Sequence, residues 1–164
     1  MRTCNAHAHE GYAMVEPLKI VVATGGGFDP LHIGHLNLLK QAKKLGDHLQ
    51  VWLCTDEWLI RKKGYYLLPY KHRKAVLESL SFVDEVVIQI DDGTQHCAKS
   101  IKTYHPDVLA KGGPYYLGAL PQEEKDALKK TGCDAVFGIG GNLKQASSSD
   151  FFKEAIEMLR KQDP

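Results

Sequence analysis

Gly25-Gly26-Gly27-Phe28-Asp29-Pro30-Leu31-His32-Ile33-Gly34-His35 is the stretch on which the reading of this chain turns. Ahead of it, Ile20-Val21-Val22-Ala23 is a short apolar run rich in β-branched residues, the pattern of a buried strand. Behind it, residues 36–46 carry apolar side chains at helical spacing and finish on Gly46, a residue suited to closing a helix. Strand, glycine-rich turn and helix, in that order, are how α/β proteins set a phosphate site at a helix N-terminus. The run of glycines lets the backbone approach a ligand with no Cβ in the way. His32 and His35 lie three residues apart and so share one face of a helix start. Two imidazoles there, beside free backbone N–H groups and the helix dipole, suit a polyphosphate that gathers charge in a transition state.

Simpler readings compete with that one. Glycine turns join strand to helix in many sheets without any ligand, and a histidine pair often caps or packs. The pair also reads as two metal ligands, but no further Cys or His cluster stands at a spacing that completes a tetrahedral set, so no metal ligand is assigned. A dinucleotide loop would need a third glycine that Gly25 and Gly27 do not receive, and the Walker A pattern is absent.

The chain has 164 residues, 43% hydrophobic and 25% charged, with a formal net charge of +1. That length and balance suit one domain with a proper core. Near-zero net charge gives no electrostatic case for nucleic acid or an anionic membrane as partner, and no apolar run reaches membrane-spanning length. The four cysteines, Cys4, Cys54, Cys97 and Cys133, form no C-x-x-C pair, and two lie in apolar strand-like runs. They read as reduced, mostly buried thiols of a cytoplasmic protein. Residues 1–17 have no periodicity and read as a flexible leader to a domain over 18–164.

Further along, residues 49–55 read as a strand, and 56–60 as a helical turn that Arg61-Lys62-Lys63-Gly64 breaks into a basic loop. Residues 70–80 have helical spacing, 83–90 form a strand, and Asp91-Asp92-Gly93-Thr94 is a turn set to cap a helix over 95–104. A strand over 106–111, a helix opened by Pro121-Gln122-Glu123-Glu124, a strand over 133–139 and a helix over 151–161 complete the chain. Ser147-Ser148-Ser149 is an N-cap cluster for that last helix. Five strands alternating with helices predict a Rossmann-like single α/β domain, a five-stranded parallel sheet with helices on both faces. The glycine turn, the basic loop, Lys111-Gly112-Gly113 and the serines all fall at the C-terminal edge of that sheet, where its ligands bind.

Gly27 to His35, with His-Ile-Gly-His inside it, resembles the first signature of the cytidylyltransferase-like nucleotidyltransferase superfamily, and the likeness extends over about residues 19–160. Thr55-Asp56-Glu57, the lysine loop, His72-Arg73-Lys74 and Val83-Asp84-Glu85-Val86 resemble the glycerol-3-phosphate cytidylyltransferases. Pro106-Asp107-Val108-Leu109-Ala110-Lys111-Gly112-Gly113 is similar instead to a segment of the heptose-1-phosphate adenylyltransferases. Two departures stand out: Gly64 where the family has a further lysine, and Lys144 among residues 140–144 where an arginine or glutamate is usual.

The resemblance implies transfer of a nucleoside monophosphate from an NTP, CTP before ATP, to a phosphorylated small polyol or sugar, with magnesium and release of pyrophosphate. It implies catalytic roles for His32, His35 and Lys62, with Lys63 in reserve. Nucleotide binding would fall to Gly26, Gly27, Phe28, Asp29, Arg73, Lys111, Ser147, Ser148 and Ser149. A homodimer is the assembly it implies. Adenylyl transfer to heptose 1-phosphate or to a mononucleotide such as NMN or FMN is the rival chemistry. A non-catalytic nucleotide-binding protein is the rival of another class.

Overall fold

In the computed structural model, the described residues are 19–113, 116–141 and 147–161; the expected leader and Lys144 lie outside them. The elements run β1 (Val21–Gly26), α1 (Ile33–Lys43), β2 (His48–Leu53), α2 (Asp56–Lys63), α3 (Tyr70–Glu78), β3 (Glu85–Ile88), α4 (Ala98–Tyr104), β4 (Val108–Gly112), α5 (Gln122–Thr131), β5 (Asp134–Ile139) and α6 (Ser148–Arg160). The strands form one sheet in the order β3-β2-β1-β4-β5, every pair parallel. The fold is therefore the predicted α/β Rossmann-like one. The chain moves outward from β1 in one direction, then returns to pair β4 on its other side, so the switch point lies between β1 and β4.

Strand alternation splits the core into two layers. Val22, Leu49, Val51, Leu53 and Val86 face one side, where Leu39 and Ala42 of α1 and Leu77 of α3 cover them. Ala23, Trp52 and Leu109 face the other, under Ala98 and Ile101 of α4 and Ala127 and Leu128 of α5. No helix of the described residues is long and apolar enough to cross a membrane. Cys54, Cys97 and Cys133 are free and buried, as expected of structural thiols.

Three local readings need correction. Arg61, Lys62 and Lys63 are not a loop but the last turn of α2, which Gly64 closes at φ 85°. Basic residues favour a helix C-terminus, so the run extends the helix rather than breaking it. The 91–94 turn does not cap a helix over 95–104. Asp91 and Asp92 accept hydrogen bonds from Gly93 and Thr94 of their own turn, and α4 starts at Ala98. Gly46 is not a left-handed stop either, since α1 ends at Lys44 in right-handed geometry. A Cβ on Gly46 would stand 2.6 Å from the Ile20 carbonyl oxygen, which accepts bonds from the Asp47 and His48 amides. Its role is to let the α1–β2 connection lie against β1.

That crowding yields an expected outcome. Gly46→Ala should destabilise the fold by roughly 1–3 kcal/mol in urea unfolding, as overpacking does. A midpoint equal to wild type would contradict the close approach.

Candidate active site

The glycine turn leaves β1, the central strand, and delivers the chain to α1 through Phe28, which is buried and holds the left-handed φ of 47°. His32 is the N-cap of α1, extended at φ −144°, but its side chain makes no capping bond, and the first turn holds no acidic residue. The helix N-terminus is thus left open, an electrostatically favourable place for an anion. The rings of His32 and His35 stack with centroids 3.7 Å apart and planes 22° apart. Gly34 between them makes this possible, because a Cβ there would press to 3.1 Å from the His32 ring. Phe28 backs His35 at 4.9 Å.

Both imidazoles are neutral at pH 7. Burial lowers the pKa of His32. For His35, burial, then repulsion by His32 when that ring is protonated and by the Lys63 charge, take it from 6.5 down to about 4. Nδ1 of each ring is buried without a hydrogen-bond partner of good geometry.

A cavity of about 480 Å³ opens over the C-terminal ends of the strands. Of the residues predicted for the site, Gly26, Gly27, Phe28, His32, His35, Lys62 and Lys111 line it. Lys62 comes from the last turn of α2, with Nζ 4.6 Å from the Trp58 ring centroid. Lys63 points elsewhere: its Nζ donates to Asp29 Oδ2 at 2.8 Å. Asp29 also accepts from the Leu67 and Leu68 amides. Burial opposes its charge, but Lys63 and those amides outweigh it and hold the carboxyl below its ordinary pKa. Asp29 therefore shapes the turn and is absent from the cavity wall.

Arg73 also departs from the expected role. Its side chain is wholly buried and does not line the cavity. Nε donates to Leu68 O at 2.8 Å, Nη1 to Gly27 O at 2.7 Å and Cys54 O at 2.9 Å, and Nη2 to Asp56 Oδ1 at 2.6 Å. The guanidinium fork is spent on the protein, and its part is to hold the site's elements together. The serines lie beside the site without lining it. Ser147 is an N-cap without a side-chain bond, Ser148 Oγ donates to Pro30 O at 3.1 Å, and Ser149 opens α6 with them.

Sequence reasoning passed over Gln89, Gln95, Cys97 and Glu124, which also line the cavity. Glu124 carried a signal, an acid in the first turn of a helix, but that signal speaks of the dipole and not of a cavity. Among the described residues no group of three or more His, Cys, Asp or Glu could hold a metal ion. The donors here, imidazoles and amines, suit an anion, so a divalent ion would be held by a substrate's own phosphates.

Fold and site together define a Rossmann-like nucleotidyltransferase, with a histidine pair at an open helix N-terminus on the central strand. The cytidylyltransferase-like family pattern matches residues 23–154, and the chain belongs to that family. It is similar to the FAD synthase of Thermococcus sibiricus (strain DSM 12597 / MM 739), 40% identical over 117 residues, 68% of this chain and 76% of that one. It is 48% identical to the glycerol-3-phosphate cytidylyltransferase of Bacillus subtilis (strain 168) over 66 residues, 40% of this chain and about half (51%) of the relative. The bifunctional protein HldE of Hahella chejuensis (strain KCTC 2396) is 35% identical over 94% of this chain, which spans only 33% of HldE. Among solved structures, the lipopolysaccharide core biosynthesis protein from Thermoplasma volcanium GSS1 superposes with a TM-score of 0.58 at 27% identity, over 79% of this chain and 99% of that one.

Two outcomes follow from the geometry. Arg73→Lys should cost roughly 2–4 kcal/mol in urea unfolding, because a single ammonium cannot satisfy the buried carbonyls that the fork serves. An unchanged stability would mean the guanidinium is not the clamp its bonds describe. For His35 the folded pKa of about 4 lies below the ordinary 6.5, so the unfolded chain binds the extra proton between those values. Stability is then flat above about pH 7 and falls on acidification, by roughly 1 kcal/mol between pH 7.5 and 5.5 from this group alone. His35→Asn should remove that slope in melts across this range; a variant with the wild-type slope would show that His35 is not its source.

Proposed function

We propose that this enzyme transfers a nucleoside monophosphate from an NTP to the phosphate of a small acceptor. The acceptor's phosphate oxygen attacks the α-phosphorus in line; a new P–O bond forms, the bond to the β-phosphate bridging oxygen breaks, and pyrophosphate leaves. Such chemistry asks for positioning and charge neutralisation rather than a covalent intermediate. The observation that carries the reading is the stacked His32–His35 pair at the uncapped start of α1, lining one cavity with Lys62. His32 and His35 present N–H donors to phosphate oxygens, and Lys62 supplies the fixed positive charge. Once phosphates arrive, their charge favours protonation of the imidazoles, so neutralisation grows with the charge that needs it. Magnesium, carried on the triphosphate, would add charge neutralisation of its own.

ATP is the donor we place first. The FAD synthase likeness covers 68% of this chain and 76% of that relative, and FAD is FMN joined to AMP. CTP, the donor expected from the signature segments, is supported by the 48% identity to a cytidylyltransferase over a shorter stretch. The serines would meet the far phosphates from the start of α6. A homodimer remains the assembly proposed on the resemblance.

The test is pyrophosphate release with ATP, CTP, GTP or UTP, magnesium, and phosphorylated acceptors including glycerol 3-phosphate, FMN and heptose 1-phosphate. We expect turnover with ATP above the others, and His35→Ala should lower kcat roughly 10²-fold or more with folding intact. A CTP preference would return the reading to the cytidylyl branch. An unaffected rate in the variant would remove the mechanism.

A further inference from the structure

The last turn of α2 carries three basic residues in a row, Arg61, Lys62 and Lys63, and each is held in a different way. Arg61 pairs with Asp91, and the Lys63 ammonium stands 2.8 Å from Asp29 Oδ2. Lys62 instead lies over the indole of Trp58, its Nζ 4.6 Å from the ring centroid. The two residues are four apart, so one helical turn brings them together. An ion pair fixes a lysine but cancels its charge. A ring face fixes it through the quadrupole, and the charge stays available to an anion.

The ring is a firm seat. Trp58 is 6% exposed and packs in one buried cluster with Leu59 and with Cys54, just past the end of β2. Leu59 in turn closes on the glycine turn, since a Cβ on Gly27 would stand 2.7 Å from its Cδ2. Gly27, Cys54, Trp58 and Lys62 all line the cavity. The indole nitrogen is an independent sign. Nε1 is buried with no hydrogen-bond partner of good geometry among the described residues, whereas a buried indole N–H ordinarily finds one. Leaving it unpaired costs stability, and a phenyl ring at this position would carry no such cost. What the indole has over the phenyl is the stronger cation-binding face, the face that Lys62 covers.

We propose that Trp58 is the positioning residue for Lys62, holding the ammonium at the cavity wall for the phosphates of the NTP while leaving its charge uncancelled. A lysine side chain free in solvent samples many rotamers, and holding it beforehand removes part of the ordering cost of binding. For an exposed ammonium such as this one, the contact shifts the held population by about two- to fivefold. The proposal rests on the nucleotidyl-transfer reading above.

Two measurements on the full chain test it. In protein grown with isotope-labelled lysine, the NMR signals of the Lys62 ε-protons are assigned by their loss in Lys62→Met. Ring current should place them upfield of the other lysines, and Trp58→Leu should return them to the common position. The second measurement is a double-mutant cycle read by calorimetry, with magnesium and an unreactive analogue of whichever of ATP and CTP turns over. Trp58→Leu should weaken binding about three- to fivefold in the wild-type chain and by less than about 1.5-fold in Lys62→Met, because its effect passes through the lysine. Should Trp58→Leu melt early, Trp58→Phe keeps a smaller ring without the unpaired N–H. That variant should melt no lower than wild type and still bind the analogue about twofold more weakly. Lys62 ε-protons at the common lysine position, equal losses in the two backgrounds, or a Trp58→Phe protein that melts lower while binding as wild type would overturn the proposal. Failure of the underlying reading looks different: neither analogue binds and no pyrophosphate is released, while the Lys62 signal still moves with Trp58.

Discussion

The Arg73 guanidinium is the contact on which the geometry of the cavity depends. From one buried side chain it reaches the glycine turn at Gly27, the end of β2 at Cys54, the start of α2 at Asp56 and the α2–α3 connection at Leu68. Those four places belong to two successive crossovers, from β1 to β2 and from β2 to β3, and parallel strands give such crossovers no direct hydrogen bonds to one another. Asp29 works in the same way from the other direction, binding Lys63 and the Leu67 and Leu68 amides. Together the two side chains fix α2 relative to α1, and so fix Lys62 relative to the histidines.

This division of labour explains why neighbouring lysines differ. On the last turn of α2, Lys62 reaches the cavity and Lys63 turns back to Asp29. One basic residue is spent on the scaffold, while the other stands in the cavity wall. The stack of His32 on His35 has a similar requirement, a glycine at position 34 where a Cβ would crowd the His32 ring at 3.1 Å. The spacing His-x-Gly-His is in this sense a packing rule before it is a chemical one.

Much of this was legible in the sequence. Alternating strand and helix signals predict the sheet, and the histidine spacing places both rings on one face, because local periodicity governs both. What stayed hidden was set by distant partners. Nothing near Arg73 in sequence tells that it is buried, since its acceptors lie up to 46 residues away. Gly46 looks like a helix stop, and only the neighbouring strand shows that it clears the path for Ile20. Glu124 reads as a first-turn acid, and its bonds to Lys111 and Cys97 are made through tertiary contact. Local signals mark where chemistry can occur, while long-range ones decide which residues are free to perform it.

The low proton affinity of the histidine pair has a consequence for a protein in a solution full of small anions. A site built from two permanent cations would hold inorganic phosphate, sulfate or its own pyrophosphate and be slow to empty. A pair of uncharged rings exerts little pull on a single passing anion, because recruiting their protons against burial takes a strong field. On the proposed reading, a polyphosphate stretched along the open helix end would supply that field, and a departing fragment would supply less of it. The site would then be charged by its occupant and discharge as the occupant leaves, which would favour release at the end of the cycle.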